Sequence, residues 1–130
     1  MSLDVPQELL HQAEAGDEVD EDAFLATVRN SLPYAYELIA GLVDDLSDSD
    51  TPFVDNEVPP PSEVERGQLL RALASDAIRG SLERHFGVRL AFQNCHRVAA
   101  FRLDAPEESF RRFTSVRGQL LNQSPLLRNC

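Results

Sequence analysis

The sequence predicts a single α+β domain of four or five helices with one β-hairpin, and three observations lead there. Apolar residues recur at helical spacing in several stretches, each bounded by capping residues, prolines or glycines. In residues 88–103, VRLAFQNCHRVAAFRL, Val88, Leu90 and Phe92 alternate with Arg89, Ala91 and Gln93, which fits paired strands instead. The chain has 130 residues, 42% of them hydrophobic, which suffices for one core without metal or disulfide staples. Residues 1–130 form one domain in this reading. The alternative is an all-α bundle, which follows if residues 96–103 are helical.

Taken in order, Asp4-Val5-Pro6 opens a short helix through QELLHQAEAG that closes at Gly16. Asp20 caps a second helix, with Val19 and Phe24 placed for a hydrophobic staple, and Pro33 disfavours helical backbone at Leu32, so this helix stops near Ser31. Ala35, Leu38, Ile39, Leu42, Val43 and Leu46 then define the buried stripe of a third. Residues 47–61, SDSDTPFVDNEVPPP, have no apolar period and end in three prolines. They read as an acidic, proline-rich surface linker that contributes little to stability.

Ser62 and Glu65 make a capping box for one long helix over 62–86, with Leu70, Leu73, Ala74, Ala77, Ile78, Leu82 and His85 on a single face and Gly87 as its left-handed stop. The hairpin follows and turns at Asn94-Cys95. Asp104 and Glu107 repeat the box ahead of a helix carrying Phe110, Phe113, Val116, Leu120 and Leu121, and Ser124-Pro125 restarts a final turn. Gly41, Gly80 and Gly118 sit singly inside helical patterns, where close helix–helix approach is the reason to tolerate them.

Charge is sorted along the chain. Residues 1–64 hold 16 carboxylates and one arginine, whereas residues 65–130 hold 6 carboxylates and 11 arginines; there is no lysine and the net charge is −10. A field of that sign repels phosphate, and the dispersed Arg111, Arg112, Arg117 and Arg128 do not form the dense basic stripe that nucleic-acid binding demands, so no nucleic-acid partner is expected. No apolar run approaches the roughly 20 residues of a membrane span and no signal segment is evident, which predicts a cytoplasmic protein without a membrane partner.

Chemistry is sparsely signalled. Cys95 and Cys130 form no CxxC pair and read as free thiols. Adjacent Cys95 and His96 would point to opposite faces of a strand, which argues against an activated thiolate. His11, His85 and His96 lack the spacing of a metal site, and Asp48-Ser49-Asp50 fails as a calcium loop because Phe53 stands where glycine is required. The sequence therefore offers no catalytic residue, no metal site and no cofactor.

The stretches SLPYAYELIAGL, ERGQLLRALASDAIRGSLERHFGV, LAFQNCHRVAAF and FTSVRGQLLNQSPLLRNC resemble a family of small, functionally uncharacterised proteins of streptomycetes and related actinobacteria. The resemblance spans nearly the whole chain apart from the acidic linker. It implies a bacterial cytoplasmic setting and brings no activity with it. The functional expectation is a non-enzymatic interaction or regulatory protein with a protein partner. Asp48, Asp50, Phe53, Val54 and Asp55 of the linker are the candidate partner-binding residues, and the free edge of the hairpin is a candidate homodimer contact. The alternative is a small enzyme or ligand-binding protein with a pocket between hairpin and helices, using His85, Cys95 or His96.

Overall fold

The computed structural model of the chain describes residues 3–94 and 96–121. Within them the elements run α1 (Gln7–Glu14), α2 (Glu21–Ser31), α3 (Pro33–Ser47), β1 (Phe53–Asp55), α4 (Glu63–Ala74), α5 (Asp76–Phe86), β2 (Val88–Gln93), β3 (Arg97–Arg102), α6 (Glu107–Thr114) and α7 (Val116–Leu121). The α+β class holds, with seven helices and a three-stranded antiparallel sheet among the described residues in place of four or five helices and a lone hairpin.

Local chemistry explains the boundaries. The Asp20 side chain accepts from the Asp22 and Ala23 amides, and Leu32, outside the helical region at φ −127° and ψ 59°, separates α2 from α3 ahead of Pro33. Ser62 accepts from the Glu65 amide at the start of α4. Gly16 and Gly87 both adopt positive φ, which ends α1 and α5 at little steric cost. The box expected at Asp104 is not used: Pro106 stands at the N-cap of α6 without a side-chain cap bond, and Glu107 pairs with Arg89 instead.

The long helix expected over 62–86 is two helices. Its buried positions are Gln68, Leu69, Ala72 and Leu73, then Ile78, Ser81 and Leu82, while Leu70 is exposed. Leu73 and Ile78 are five residues apart, which on a continuous helix of 3.6 residues per turn places them on different faces. A break at Ser75, extended at φ −90° and ψ 117°, resets the phase. The Ser75 hydroxyl caps α5 by accepting from the Ile78 amide at 3.2 Å, and Arg79 donates to the freed Leu73 carbonyl at 3.0 Å.

Residues 47–61 are also more than a surface linker. Phe53–Asp55 forms β1, which pairs antiparallel with β3 in the register Phe53↔Phe101, Val54↔Ala100, Asp55↔Ala99, so the strand order is β1-β3-β2. Asn56 continues the ladder with its side chain, accepting from the Val98 amide at 2.7 Å and donating to the His96 carbonyl at 2.7 Å. Arg102 holds the incoming chain through the Thr51 carbonyl at 3.0 Å and through the Leu46 and Ser49 carbonyls. The expectation missed this strand because three residues are too few to show a period.

The sheet is covered on both faces. On one, Val54, Val88, Leu90, Val98 and Ala100 pack with the buried residues of α2 to α5. On the other, Phe53, Ala91, Ala99 and Phe101 pack with Phe110 and Phe113 of α6. Gly118 alone meets the close-approach expectation, since a Cβ there would collide with the Arg112 carbonyl; Gly41 faces open space and Gly80 faces only the Arg84 side chain.

Candidate functional site

Where β1 leaves the sheet surface beside α3, the two elements bound an open groove of about 850 Å³. Its α3 wall is the stripe Tyr34, Glu37, Leu38, Gly41, Leu42 and Asp45, and its opposite wall is Phe53 through Pro59 with Pro61. This stripe runs along the margin of the buried face of α3: Ala35, Ile39, Leu42 and Leu46 are buried, Tyr34, Leu38, Gly41 and Asp45 each stand one position earlier, and Leu42 borders both. The floor is apolar through Leu38, Leu42 and Val54, and Gly41 leaves it open.

The rim is anionic. Glu37 pairs with Arg29 at 3.3 Å across exposed surface, and Asp55 receives the Arg97 guanidinium at 3.1 and 2.9 Å with both side chains largely buried. Among the described residues no base lies within ion-pair distance of Asp45 or Glu57. Burial, reinforced by the nearby Glu65 carboxylate, raises the Tyr34 pKa above the ordinary phenol value, so Tyr34 stays neutral at physiological pH.

The backbone of β1 is half committed. The Pro52 carbonyl accepts from Arg102 and the Asn56 amide donates to the Val98 carbonyl, so Pro52, Val54 and Asn56 face β3. Antiparallel pairing alternates, which turns the amide and carbonyl groups of Phe53 and Asp55 away from β3 to the free side. Thr51 occupies the Phe53 carbonyl at 2.9 Å. At the other edge, the outward Leu90 amide is taken by Glu83 at 2.8 Å.

The candidate partner-binding residues thus divide. Phe53, Val54 and Asp55 line the groove, although Phe53 also stacks on Phe101 at 4.7 Å and Asp55 is held by Arg97. Asp48, at the C-cap of α3, and Asp50 are exposed and lie outside the lining. Sequence reasoning passed over Tyr34, Glu37, Asp45, Glu57 and Val58. A signal existed in the spacing of Tyr34, Glu37, Leu38, Gly41 and Asp45, a second stripe on the helix already assigned.

Of the candidate pocket residues, His85 and His96 are not brought together. His85 is exposed at the end of α5, its Nε2 3.4 Å from the Tyr36 hydroxyl, whereas His96 is buried in the β2–β3 turn with Nδ1 against the Asn94 carbonyl. The six residues of β2, rising about 3.3 Å each, separate them. Burial lowers the His96 pKa, opposed by the Asn94 carbonyl and aided by Arg97 and Arg66. The expectations for Cys95, Cys130 and the Ser124-Pro125 turn lie outside the described residues. Among the described residues no group of three His, Cys, Asp or Glu side chains is arranged to hold a metal, and no helix is long and apolar enough to cross a membrane.

Comparison with known proteins adds one match: a family model named KH NucS shadow and described as "NucS shadow ORF" covers residues 1–130. No curated protein and no solved structure matches the chain.

Proposed function

The chain belongs to the NucS shadow ORF family, whose description names a reading frame and no reaction, and on that premise we propose a non-enzymatic interaction or regulatory protein whose partner seats between α3 and β1. One observation carries this reading. The groove combines an apolar floor, an anionic rim where Asp45 and Glu57 have no base in ion-pair distance among the described residues, and outward backbone groups on β1. Such a mixture suits a protein segment better than a small reacting molecule, which needs convergent polar groups in an enclosed site.

The letters KH in the family name raise nucleic-acid binding as a rival, since KH modules clamp the backbone of four nucleotides with a GXXG loop. The sequence supports the opposite reading. Its glycines fall at 16, 41, 67, 80, 87 and 118, with no pair three residues apart, so the sequence holds no GXXG loop. The pocket-enzyme alternative draws no support from the separation of His85 and His96.

A photo-crosslinking residue in place of Val58, which is 75% exposed in the groove wall, tests the reading against one in place of Leu103, 74% exposed and outside the groove. The expected outcome in a host lysate is a discrete protein adduct from position 58 that Asp45→Arg diminishes. Equal capture from both positions, or none from position 58, overturns it.

A further inference from the structure

We propose that the occupant of the groove is an extended, basic peptide segment that adds as a strand beside β1. The inference rests on the reading above and goes beyond it by fixing the chemistry of the partner. Strand addition needs an edge with unpaired backbone groups. The outward amides of Phe53 and Asp55, with the Asp55 carbonyl, have no partner among the described residues and supply one, whereas the corresponding edge of β2 is occupied at Leu90 by Glu83.

Pro52 precedes this edge and Pro59 to Pro61 follow it, so the ladder available is only three residues long. Backbone pairing alone is therefore a weak hold, and side chains must supply the selectivity. Strand residues alternate sides, so an added strand presents every second side chain to the apolar floor at Leu38, Leu42 and Val54. Asp45, on the α3 wall beside that floor, and Glu57, on the opposite wall, lack a cationic partner among the described residues. Charge complementarity thus selects a strand that carries arginine or lysine together with aliphatic residues, and an acidic strand meets repulsion.

The test uses the full chain and two fluorescein-labelled octapeptides, one alternating arginine with valine and its mate alternating glutamate with valine. Anisotropy titration at low salt is expected to show binding of the basic peptide and binding at least about tenfold weaker for the acidic one, because opposed charges across an interface discriminate strongly. The Asp45→Arg, Glu57→Arg double variant changes only exposed side chains. It should weaken the basic peptide by about tenfold or more, as should the separate variant Val58→Arg, which obstructs the groove without altering those charges. Amide exchange at Phe53 and Asp55 should slow when the basic peptide saturates the protein.

Equal affinity for the two peptides, no binding of either, or unchanged exchange at Phe53 and Asp55 at saturation overturns the proposal. None of these outcomes alters the crosslinking result at position 58, so the peptide chemistry can fail while the interaction reading stands. Failure of the crosslink removes both.

Discussion

Phe53 shows how one side chain can belong to a groove wall and to the core at once. Half-buried, it stacks on Phe101 at 4.7 Å and meets Phe113 edge-on at 6.0 Å. Phe53→Ser is therefore expected to lower the unfolding free energy by about 2 kcal/mol, below the 3–5 kcal/mol of a fully buried phenylalanine because part of the ring is already wet. Urea denaturation measures it, and a change under about 0.5 kcal/mol would restore the view of residues 47–61 as an unpacked linker. His96 sets a pH dependence. Its folded pKa lies below the unfolded value of about 6.5, chiefly through burial, so the unfolded chain binds the proton more readily. Stability should fall as pH drops from about 6.5 through the folded pKa, and His96→Gln should flatten that part of the curve in thermal melts at a series of pH values. A slope unchanged in the variant would assign the effect to another group.

At the level of elements, most helix ends were legible in the sequence, the start of α6 being the exception, and helix phase was not. Asp20, Ser62, Gly16 and Gly87 act locally, each through a bond or a dihedral within a few residues, so their neighbours in sequence suffice to read them. The break at Ser75 depends on which of Leu69 and Leu70 faces inward, and adjacent apolar residues leave that choice to tertiary packing. Strand β1 is sustained by a partner strand far along the chain, so its own residues carry no period to detect. The same limit explains the groove, whose walls come from two elements that sequence could place only separately. Ser75→Ala should cost about 1 kcal/mol through loss of the α5 cap. Leu73→Ala, at a side chain only 2% exposed, should cost roughly 2–5 kcal/mol. Both follow from denaturation midpoints, and a Ser75→Ala variant as costly as Leu73→Ala would mean that the break does more than cap a helix.

For the molecule as a whole, the division of charge along the sequence is partly reconciled in three dimensions. Arg84 reaches Glu21 at 3.0 Å and Arg97 reaches Asp55 at 2.9 Å, pairs that join the basic second half to the acidic first. These pairs consume arginines that would otherwise be available to phosphate, and the net charge stays at −10. Gel-shift titration at low salt should accordingly show no submicromolar binding to duplex DNA, and salt-sensitive binding in that range would refute the assignment.

The pairing of β1 with β3 has a consequence for the order in which the chain folds. β2 and β3 are joined by a tight turn, so their contacts close quickly, whereas Asp55 and Arg97 are 42 positions apart and must pay a larger loop-closure entropy. The outer strand should then dock after the hairpin and its helices have assembled, with Arg102 donating to the Leu46, Ser49 and Thr51 carbonyls at and just beyond the end of α3. In stopped-flow experiments Val54→Ala should mainly accelerate unfolding and leave the refolding rate nearly unchanged, while Leu90→Ala should slow refolding. Equal slowing of refolding by both would place β1 in the nucleus. A strand that docks last is also expected to lift away early, which would put the edge proposed for a partner on a part of the molecule that opens short of global unfolding.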